Sequence, residues 1–138
     1  MRYFLDTNII LYAYSTDASE SAKRDIARSI LTQNNWGLSA QVLQEFYSNA
    51  TKPKRGAPPL MGHADAQTTV QGLAEFTNVA LDAALVQQAI ALRQQHQISY
   101  WDAAIVAASM RSGAKELLTE DLNAGQVIEG VRVVNPFV

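Results

Sequence analysis

Four acidic residues stand at separate points of the chain, each where we expect a strand to give way to a helix or a loop: Asp6, Glu45, Asp102 and Asp121. If the chain folds as a parallel α/β sheet, Asp6 and Asp121 follow the carboxyl ends of strands, where such sheets place their ligands. Four converging carboxylates repel one another, so they either take up protons or bind a hard cation. Mg²⁺ and Mn²⁺ suit oxygen ligands, and the chemistry that they support is that of phosphate groups.

Taken alone, each of these residues also fits an ordinary structural role. Asp6 fits the N-cap of a helix that follows it, and Glu45 fits a solvated helix position. Asp102 follows Ser99 by three residues, which is the spacing of a capping box. Asp121 lies in a polar segment of the kind that forms turns. Only the joint occurrence of the four favours a functional cluster.

The composition indicates one compact domain spanning residues 1–138. Of the 138 residues, 48% are hydrophobic, which suits a full core. The absence of cysteine excludes disulfides, thiolate metal sites and cysteine nucleophiles, and it favours a cytoplasmic location. We expect no membrane span and no signal peptide, because no apolar run is long enough and charges occur within the first six residues. The net charge of −2 argues against a broad basic face but is compatible with a local basic patch.

Short apolar strands alternate with amphipathic helices along the chain. We expect strands at 2–5, 36–38, 79–81, 116–119 and 131–134. Helices are expected at 8–13, 22–34, 39–49, 63–76, 82–96 and 99–111. Ser39 and Asp82 are residue types that cap helices, and Gly113 suits a helix end. The prediction is therefore a single α/β domain with a mostly parallel sheet of about four to five strands, flanked by helices.

Four segments, in order along the chain, are similar to the motifs of one known family. They are Phe4-Leu5-Asp6-Thr7-Asn8, Gln44-Glu45-Phe46, Ser99-Tyr100-Trp101-Asp102-Ala103 and Leu118-Thr119-Glu120-Asp121-Leu122-Asn123. Any one of them occurs by chance in many proteins, whereas four in order in a chain of this length form a specific pattern. The sequence thus resembles the PIN-domain ribonucleases and, among them, the VapC-like toxins of bacterial and archaeal toxin–antitoxin pairs.

The resemblance implies a metal-dependent endoribonuclease that cleaves RNA, forms a homodimer and is inhibited by a cognate antitoxin. The implied cofactor is Mg²⁺ or Mn²⁺, with Asp6 and Asp102 as inner ligands. Glu45 and Asp121 complete the set directly or through water. Supporting hydrogen bonds to these carboxylates or to phosphate are expected from four neighbouring residues: Thr7, Asn8, Thr119 and Glu120.

The Pro-rich segment 51–59 is not part of the family's motif set. It carries Lys52, Lys54 and Arg55, which are candidates for contacts with RNA phosphates. A short basic loop is equally typical of a soluble surface, so both interpretations stay open.

The aromatic residues near the motifs also lead to expectations. We expect Trp101 to belong to the core rather than to an RNA-stacking surface, because stacking requires exposure. A groove above the carboxylates is expected to be rimmed by apolar and aromatic residues of the early helices: Ile9, Tyr12, Phe46 and Tyr47.

Two other functions compete with this interpretation. A phosphatase of the haloacid dehalogenase type also begins with a strand-end aspartate, but it needs a second aspartate two residues later, where this chain has Asn8. A non-catalytic module that binds RNA or an antitoxin is the other alternative, and the presence of all four carboxylates argues against it. Metal-dependent cleavage of RNA separates the enzyme from the binding module.

Overall fold

In the computed structural model, six strands form one sheet whose central strands are parallel. The structure describes residues 1–138, apart from the side chain of Asn78. The strands are β1 (Tyr3–Leu5), β2 (Trp36–Ser39), β3 (Thr77–Val79), β4 (Glu116–Leu118), β5 (Val127–Ile128) and β6 (Val131–Val134). Their order is β3-β2-β1-β4-β6-β5, and only β5 runs antiparallel to its neighbour. The predicted α/β class and mostly parallel sheet are confirmed.

Six α-helices connect and flank these strands. They are α1 (Thr7–Ala13), α2 (Ser21–Thr32), α3 (Ala40–Thr51), α4 (His63–Ala74), α5 (Ala83–His96) and α6 (Tyr100–Ser112), and a 3₁₀ turn (Ala18–Glu20) precedes α2. The predicted N-caps are confirmed, because the side chains of Ser39, Asp82 and Ser99 each accept a hydrogen bond from the backbone N–H three residues later. Gly113 ends α6 in the left-handed conformation, also as predicted.

Several element boundaries differ from the predictions by one or two residues, and one strand was missed. Strand β3 lies at Thr77–Val79 rather than at 79–81, and α4 ends at Ala74 rather than at 76. The two-residue strand β5 was not expected at all. It pairs with β6 through a turn in which Glu129 and Gly130 both have positive φ, 50° and 85°.

Helix α6 is the central helix of the core. Its residues from Ala103 through Ser109 are all buried, so it is covered on every side rather than along one stripe. Small alanine side chains on α6 allow the close approach of the neighbouring elements. The first turn of α6, which carries Trp101 and Asp102, emerges from this packed core.

The sheet topology brings the first and fourth motifs together. Strands β1 and β4 are adjacent and parallel, and their last residues Leu5 and Leu118 are paired. The pairing continues one step further, since the N–H of Asp6 donates to the carbonyl of Leu118 at 3.0 Å. Asp6 and Thr119 therefore leave the same edge of the sheet side by side.

The Pro-rich segment follows α3 and cannot continue it, because prolines lack the backbone N–H that a helix needs. It contains a tight turn in which the N–H of Ala57 donates to the carbonyl of Lys54 at 3.1 Å, with Gly56 at φ 74°. The N–H of Met61 then returns to the carbonyl of Ala50 at 3.1 Å, which closes the loop onto α3.

The longest described helix, α5, has 14 residues, and no described helix is both long and apolar enough to cross a membrane.

A pair of glycine substitutions tests the role of the backbone in these helices. Gly113→Ala places a side chain at φ +80°, so we expect a loss of about 1 kcal/mol in the free energy of unfolding. Gly72→Ala lies within α4, where a Cβ meets no atom within 4 Å, and should raise that free energy by about 0.5–1 kcal/mol. Urea unfolding of both variants measures the two effects. If both substitutions raised, or both lowered, the free energy of unfolding, the backbone conformation described for Gly113 or for Gly72 would be wrong.

Candidate active site

The Asp6 carboxylate is held at the sheet edge by two neutral donors. Asp6 is only 6% exposed and is the N-cap of α1, since Oδ1 accepts from the N–H of Thr7 at 2.7 Å. Its Oδ2 accepts from the buried hydroxyl of Thr119 at 2.8 Å. One oxygen of Asp6 therefore caps α1, while the other joins the side chain to the residue that follows β4.

Glu45 reaches the same place from α3. Its Oε1 accepts a 2.6 Å hydrogen bond from the hydroxyl of Thr7, and its Oε2 accepts from Nε2 of Gln41 at 3.3 Å. Thr7 thus contacts two carboxylates at once, with its backbone N–H on Asp6 and its hydroxyl on Glu45. These two hydrogen bonds fix the orientation of the Glu45 carboxylate, which is therefore not a freely solvated side chain.

Asp121 is positioned by Asn8 and Thr119, which are two of the four predicted supporting residues. The amide Nδ2 of Asn8 donates to Asp121 Oδ2 at 3.1 Å and to the Thr119 hydroxyl at 3.3 Å. The backbone N–H of Asp121 donates to the same hydroxyl at 3.1 Å. Asn8 and Thr119 consequently set the direction of Asp121 relative to Asp6.

Asp102 approaches from the first turn of α6. Its N–H donates to the hydroxyl of Ser99 at 3.1 Å, so the predicted capping contact exists. The Asp102 side chain is half-buried and lines one cavity together with the other three carboxylates. The cavity has a volume of about 220 Å³, and its lining residues are Asp6, Thr7, Asn8, Leu11, Glu45, Asn49, Trp101, Asp102, Ile105 and Asp121. The structure therefore brings together all four carboxylates that the sequence singled out.

Burial and mutual repulsion act on the protonation of this cluster. Burial raises the pKa of Asp6 to about 6; the hydrogen bonds from Thr119 and Thr7 oppose the rise, and the charges of Asp121 and Glu45 add to it. Partial burial likewise raises the pKa of Asp102; its hydrogen bond with Ser99 opposes this, and the same two charges contribute. A cation in the cavity would relieve both effects.

The donor set of the cavity fits a hard divalent cation. All four ionisable side chains that line it offer oxygen atoms, which Mg²⁺ and Mn²⁺ prefer as ligands. In addition, Oδ1 of Asn8 is buried and accepts no hydrogen bond within the described part of the chain. As the side chains stand, however, no group of three or more acidic or histidine residues in the described part of the chain is placed so that it could hold a metal ion, so an ion would have to draw the carboxylates closer together.

Glu120 points away from the carboxylates. It accepts hydrogen bonds from the hydroxyl of Tyr12 and, at 3.0 Å, from Nζ of Lys23. It lines a neighbouring cavity of about 280 Å³, which Lys54 also lines. Of the three candidate RNA-binding residues, Lys54 is the one that lines this neighbouring cavity, while Lys52 and Arg55 are exposed on the same loop.

Some residues around the site escaped the sequence-based predictions. Gln41 and Asn49 flank Glu45 at one helical turn on either side, and Asn49 Nδ2 donates to the Glu45 carbonyl at 2.8 Å. The i, i+4 spacing on a helix was the available signal. The expectation that Trp101 is a core residue was wrong, because it is 65% exposed. Ile9 and Phe46 are fully buried and cannot rim a groove, whereas Tyr12 lines the neighbouring cavity and Tyr47 is exposed.

Comparison with known proteins agrees with this fold. Residues 3–128 match the PIN domain, and the chain belongs to the PIN domain family. No similar curated protein was found by comparison.

Three solved structures share the fold at low sequence identity. A toxin–antitoxin complex from Klebsiella pneumoniae is 23% identical, with a TM-score of 0.70 and 97% of each chain covered. The Mycobacterium tuberculosis toxin VapC20, described as cleaving the sarcin–ricin loop, is 20% identical, with a TM-score of 0.64 over 83% of this chain and 86% of that chain. FitAcB from Neisseria gonorrhoeae is 18% identical, with a TM-score of 0.62 and 98% of each chain covered.

The raised pKa of Asp6 predicts a specific pH dependence of stability. Because its folded pKa of about 6 exceeds the ordinary 3.8, the folded protein binds this proton more tightly than the unfolded chain. This tighter proton binding stabilises the folded protein fully below about pH 4. The stabilisation, about 3 kcal/mol, is lost as the pH rises through about 6. Asp6→Asn should remove this decline, so the variant becomes relatively more stable at neutral pH.

Denaturant unfolding with a chelator present, from about pH 4 to about pH 8, measures this effect. Asp102→Asn serves as the comparison, since its pKa is shifted in the same direction but the residue is less buried. An unchanged pH slope in Asp6→Asn would show that the carboxylate is not buried as described.

Proposed function

We propose that this chain is a metal-dependent endoribonuclease that hydrolyses RNA phosphodiester bonds. The observation that carries the proposal is the convergence of Asp6, Glu45, Asp102 and Asp121 on one open cavity in a PIN domain. The cavity lies beyond the carboxyl ends of parallel strands, where α/β sheets bind ligands. Its position at the surface suits a polymer that passes through rather than a small molecule enclosed on all sides.

The roles of the residues follow from their contacts. Asp6 and Asp102 would hold a Mg²⁺ or Mn²⁺ ion, with Glu45 and Asp121 completing the set directly or through water. When bound, such an ion offsets negative charge on the phosphate and eases deprotonation of a water molecule. Thr7 orients Asp6 and Glu45.

Two further residues position the carboxylates from the other side. Thr119 donates to Asp6, while Asn8 donates to Asp121 and so fixes its direction. The site is thereby preorganised before substrate binds, which limits the reorganisation needed during reaction. Glu120 is already paired with Lys23, and its role in this scheme is to hold that lysine and Tyr12 beside the substrate groove.

The two rival functions receive less support. Asn8 stands where a phosphatase of the haloacid dehalogenase type needs its second aspartate, and its amide is engaged with Asp121 and Thr119. A non-catalytic binding module has no need for four carboxylates whose repulsion opposes both folding and RNA binding. Both observations favour hydrolysis at this cavity.

We further propose that the protein acts in the cytoplasm as a homodimer that a cognate antitoxin neutralises. Support comes from the VapC-like motifs and from a structure of the same fold described as a toxin–antitoxin complex. An arginine or lysine of the inhibitor can pair with Asp6 and Asp102 and so compete with the cation. We expect the protein to co-purify with the product of the neighbouring reading frame, and we expect excess Mg²⁺ to weaken this complex. A monomer without a partner would count against the assembly.

Substitution of the proposed inner ligands tests the enzymatic activity. Asp6→Asn and Asp102→Asn should each lower the rate of RNA cleavage by at least about 100-fold, because a ligand contributes more than its supporting residues. Cleavage of a labelled RNA with Mg²⁺ and with a chelator measures the loss. Asp65→Asn is the matched control, since Asp65 lies in the first turn of α4 as Asp102 does in α6. Wild-type rates in either ligand variant would remove the assignment.

Metal binding is checked separately, without knowledge of the RNA target. An ion that binds only the folded protein stabilises it by RT ln(1 + [L]/Kd), which is about 2.7 kcal/mol at a concentration of 100 Kd. Mg²⁺ and Mn²⁺ should therefore raise the melting temperature of the wild type and of Asp65→Asn. A smaller shift is expected in Asp6→Asn and Asp102→Asn.

A further inference from the structure

Trp101 is the most exposed aromatic residue beside the carboxylates. Its side chain is 65% exposed, although it directly precedes Asp102 on α6. An exposed apolar residue alone is ordinary in soluble proteins. Trp101 is different because it lines the cavity of the four carboxylates and also a second cavity next to it.

The structure also fixes this residue relative to the carboxylates. The backbone carbonyl of Trp101 accepts from Nε2 of Gln41 at 3.3 Å, and the same nitrogen donates to Glu45. The indole packs edge-on against the ring of Tyr100, with centroids 5.0 Å apart and an interplanar angle of 82°. Trp101 is therefore held in place while most of its surface stays open.

The second cavity differs in character from the rest of the groove. It has a volume of about 220 Å³, below the roughly 300–1,000 Å³ of drug-sized ligand sites. Its lining residues are Gln41, Gln44, Leu81, Leu85, Val86, Tyr100, Trp101 and Ala104. None of these described residues is charged, whereas the cavity on the other side of the carboxylates is lined by Glu20, Lys54 and Glu120. An uncharged flat ligand with a polar edge suits this composition.

We propose that Trp101 and this second cavity form a nucleobase subsite for the RNA substrate. The base of a nucleotide next to the scissile phosphate stacks on the indole of Trp101. The exposed amide of Gln44 offers a donor and an acceptor to the edge of that base, which makes Gln44 a specificity-determining residue. The proposal rests on the proposed function, since it places the phosphate among the carboxylates.

Stacking suits this side of the site because charge is absent there. A base presents a π-face whatever its identity, so stacking adds affinity without a basic side chain. A lysine beside Asp102 would instead pair with the carboxylate that the cation needs. The leucine and valine side chains of the second cavity keep the base edge directed at the glutamine amide rather than at bulk water.

Tryptophan fluorescence gives a direct binding test. The chain has two tryptophans: Trp36 is 5% exposed and stacked on Phe76, so Trp101 is the one that a ligand can reach. A 12-nucleotide single-stranded RNA of mixed sequence, added to Asp6→Asn protein so that it is not cleaved, should quench this emission. A strand of equal length without bases keeps its phosphates and should not quench. Equal quenching by both strands, or by neither, would overturn the subsite.

Kinetics provides the second test. Trp101→Ala should raise KM for RNA by about 5- to 100-fold with little change in kcat, and Trp101→Phe should restore most of the loss. Gln44→Ala should change the preference among the four bases more than it changes the overall rate. Val127→Ala, which alters an exposed apolar residue on β5, is the control and should leave KM unchanged. The stabilisation by Mg²⁺ should be the same in Trp101→Ala as in the wild type.

The outcomes separate this proposal from the proposed function. Cleavage with an unchanged KM in Trp101→Ala overturns the subsite and leaves the nuclease standing. RNA-dependent quenching in a protein that cleaves nothing supports the subsite and overturns the enzyme. A change of oligomeric state on gel filtration of Trp101→Ala would assign the indole to a protein interface and overturn the subsite.

Discussion

The constraint on which the rest of the site depends is the burial of the Asp6 carboxylate at the edge of the sheet. A buried charge is costly unless hydrogen bonds replace its lost hydration. Here the replacement comes from the N–H of Thr7 and the hydroxyl of Thr119, which belong to the residues following two paired strands. The sheet register thus supplies both donors, and the remaining cost appears as the raised pKa of Asp6. The burial of Asp6 therefore underlies both the pH dependence of stability and the proposed affinity of the site for a cation.

The hydroxyl of Thr119 links Asp6 to the rest of the cluster. A threonine hydroxyl has one donor and two acceptor positions. The donor serves Asp6, and the acceptors receive the Asn8 amide and the N–H of Asp121. Its hydrogen-bonding capacity is full, so the side chain cannot rotate without breaking three contacts. A neutral residue that bears no metal-binding charge therefore determines how two carboxylates face one another.

The sequence predicted those features that depend on local rules. Helix caps at Ser39, Asp82 and Ser99 involve contacts within three residues, and they were found as expected. Strand β5 was missed because the turn that joins it to β6 contains Glu129 and Gly130. The pairs typical of such turns are Asn-Gly and Asp-Gly.

The four carboxylates were found because their spacing along the chain matches a known motif order, but their surroundings depend on packing. The sequence gives no local reason why Asp121 faces the cavity and the adjacent Glu120 faces Lys23. Likewise, Phe46 and Trp101 are both aromatic residues next to an acidic motif residue, yet one is fully buried and the other is 65% exposed. The difference arises because Phe46 points from α3 into the core, while Trp101 lies in the first turn of α6, outside the core.

The uneven charge around the carboxylates bears on how the proposed RNA substrate would be held. A chain with a net charge of −2 lacks a broad basic face, so charge alone cannot supply the affinity. One neighbouring cavity is lined by Lys54 together with Glu20 and Glu120, of which Glu120 is paired with Lys23, and the described lining of the other is uncharged. Contacts that do not depend on charge must therefore contribute more than in a basic nuclease. An aromatic surface meets this requirement without adding a cationic side chain that would pair with the carboxylates and oppose binding of the proposed metal ion.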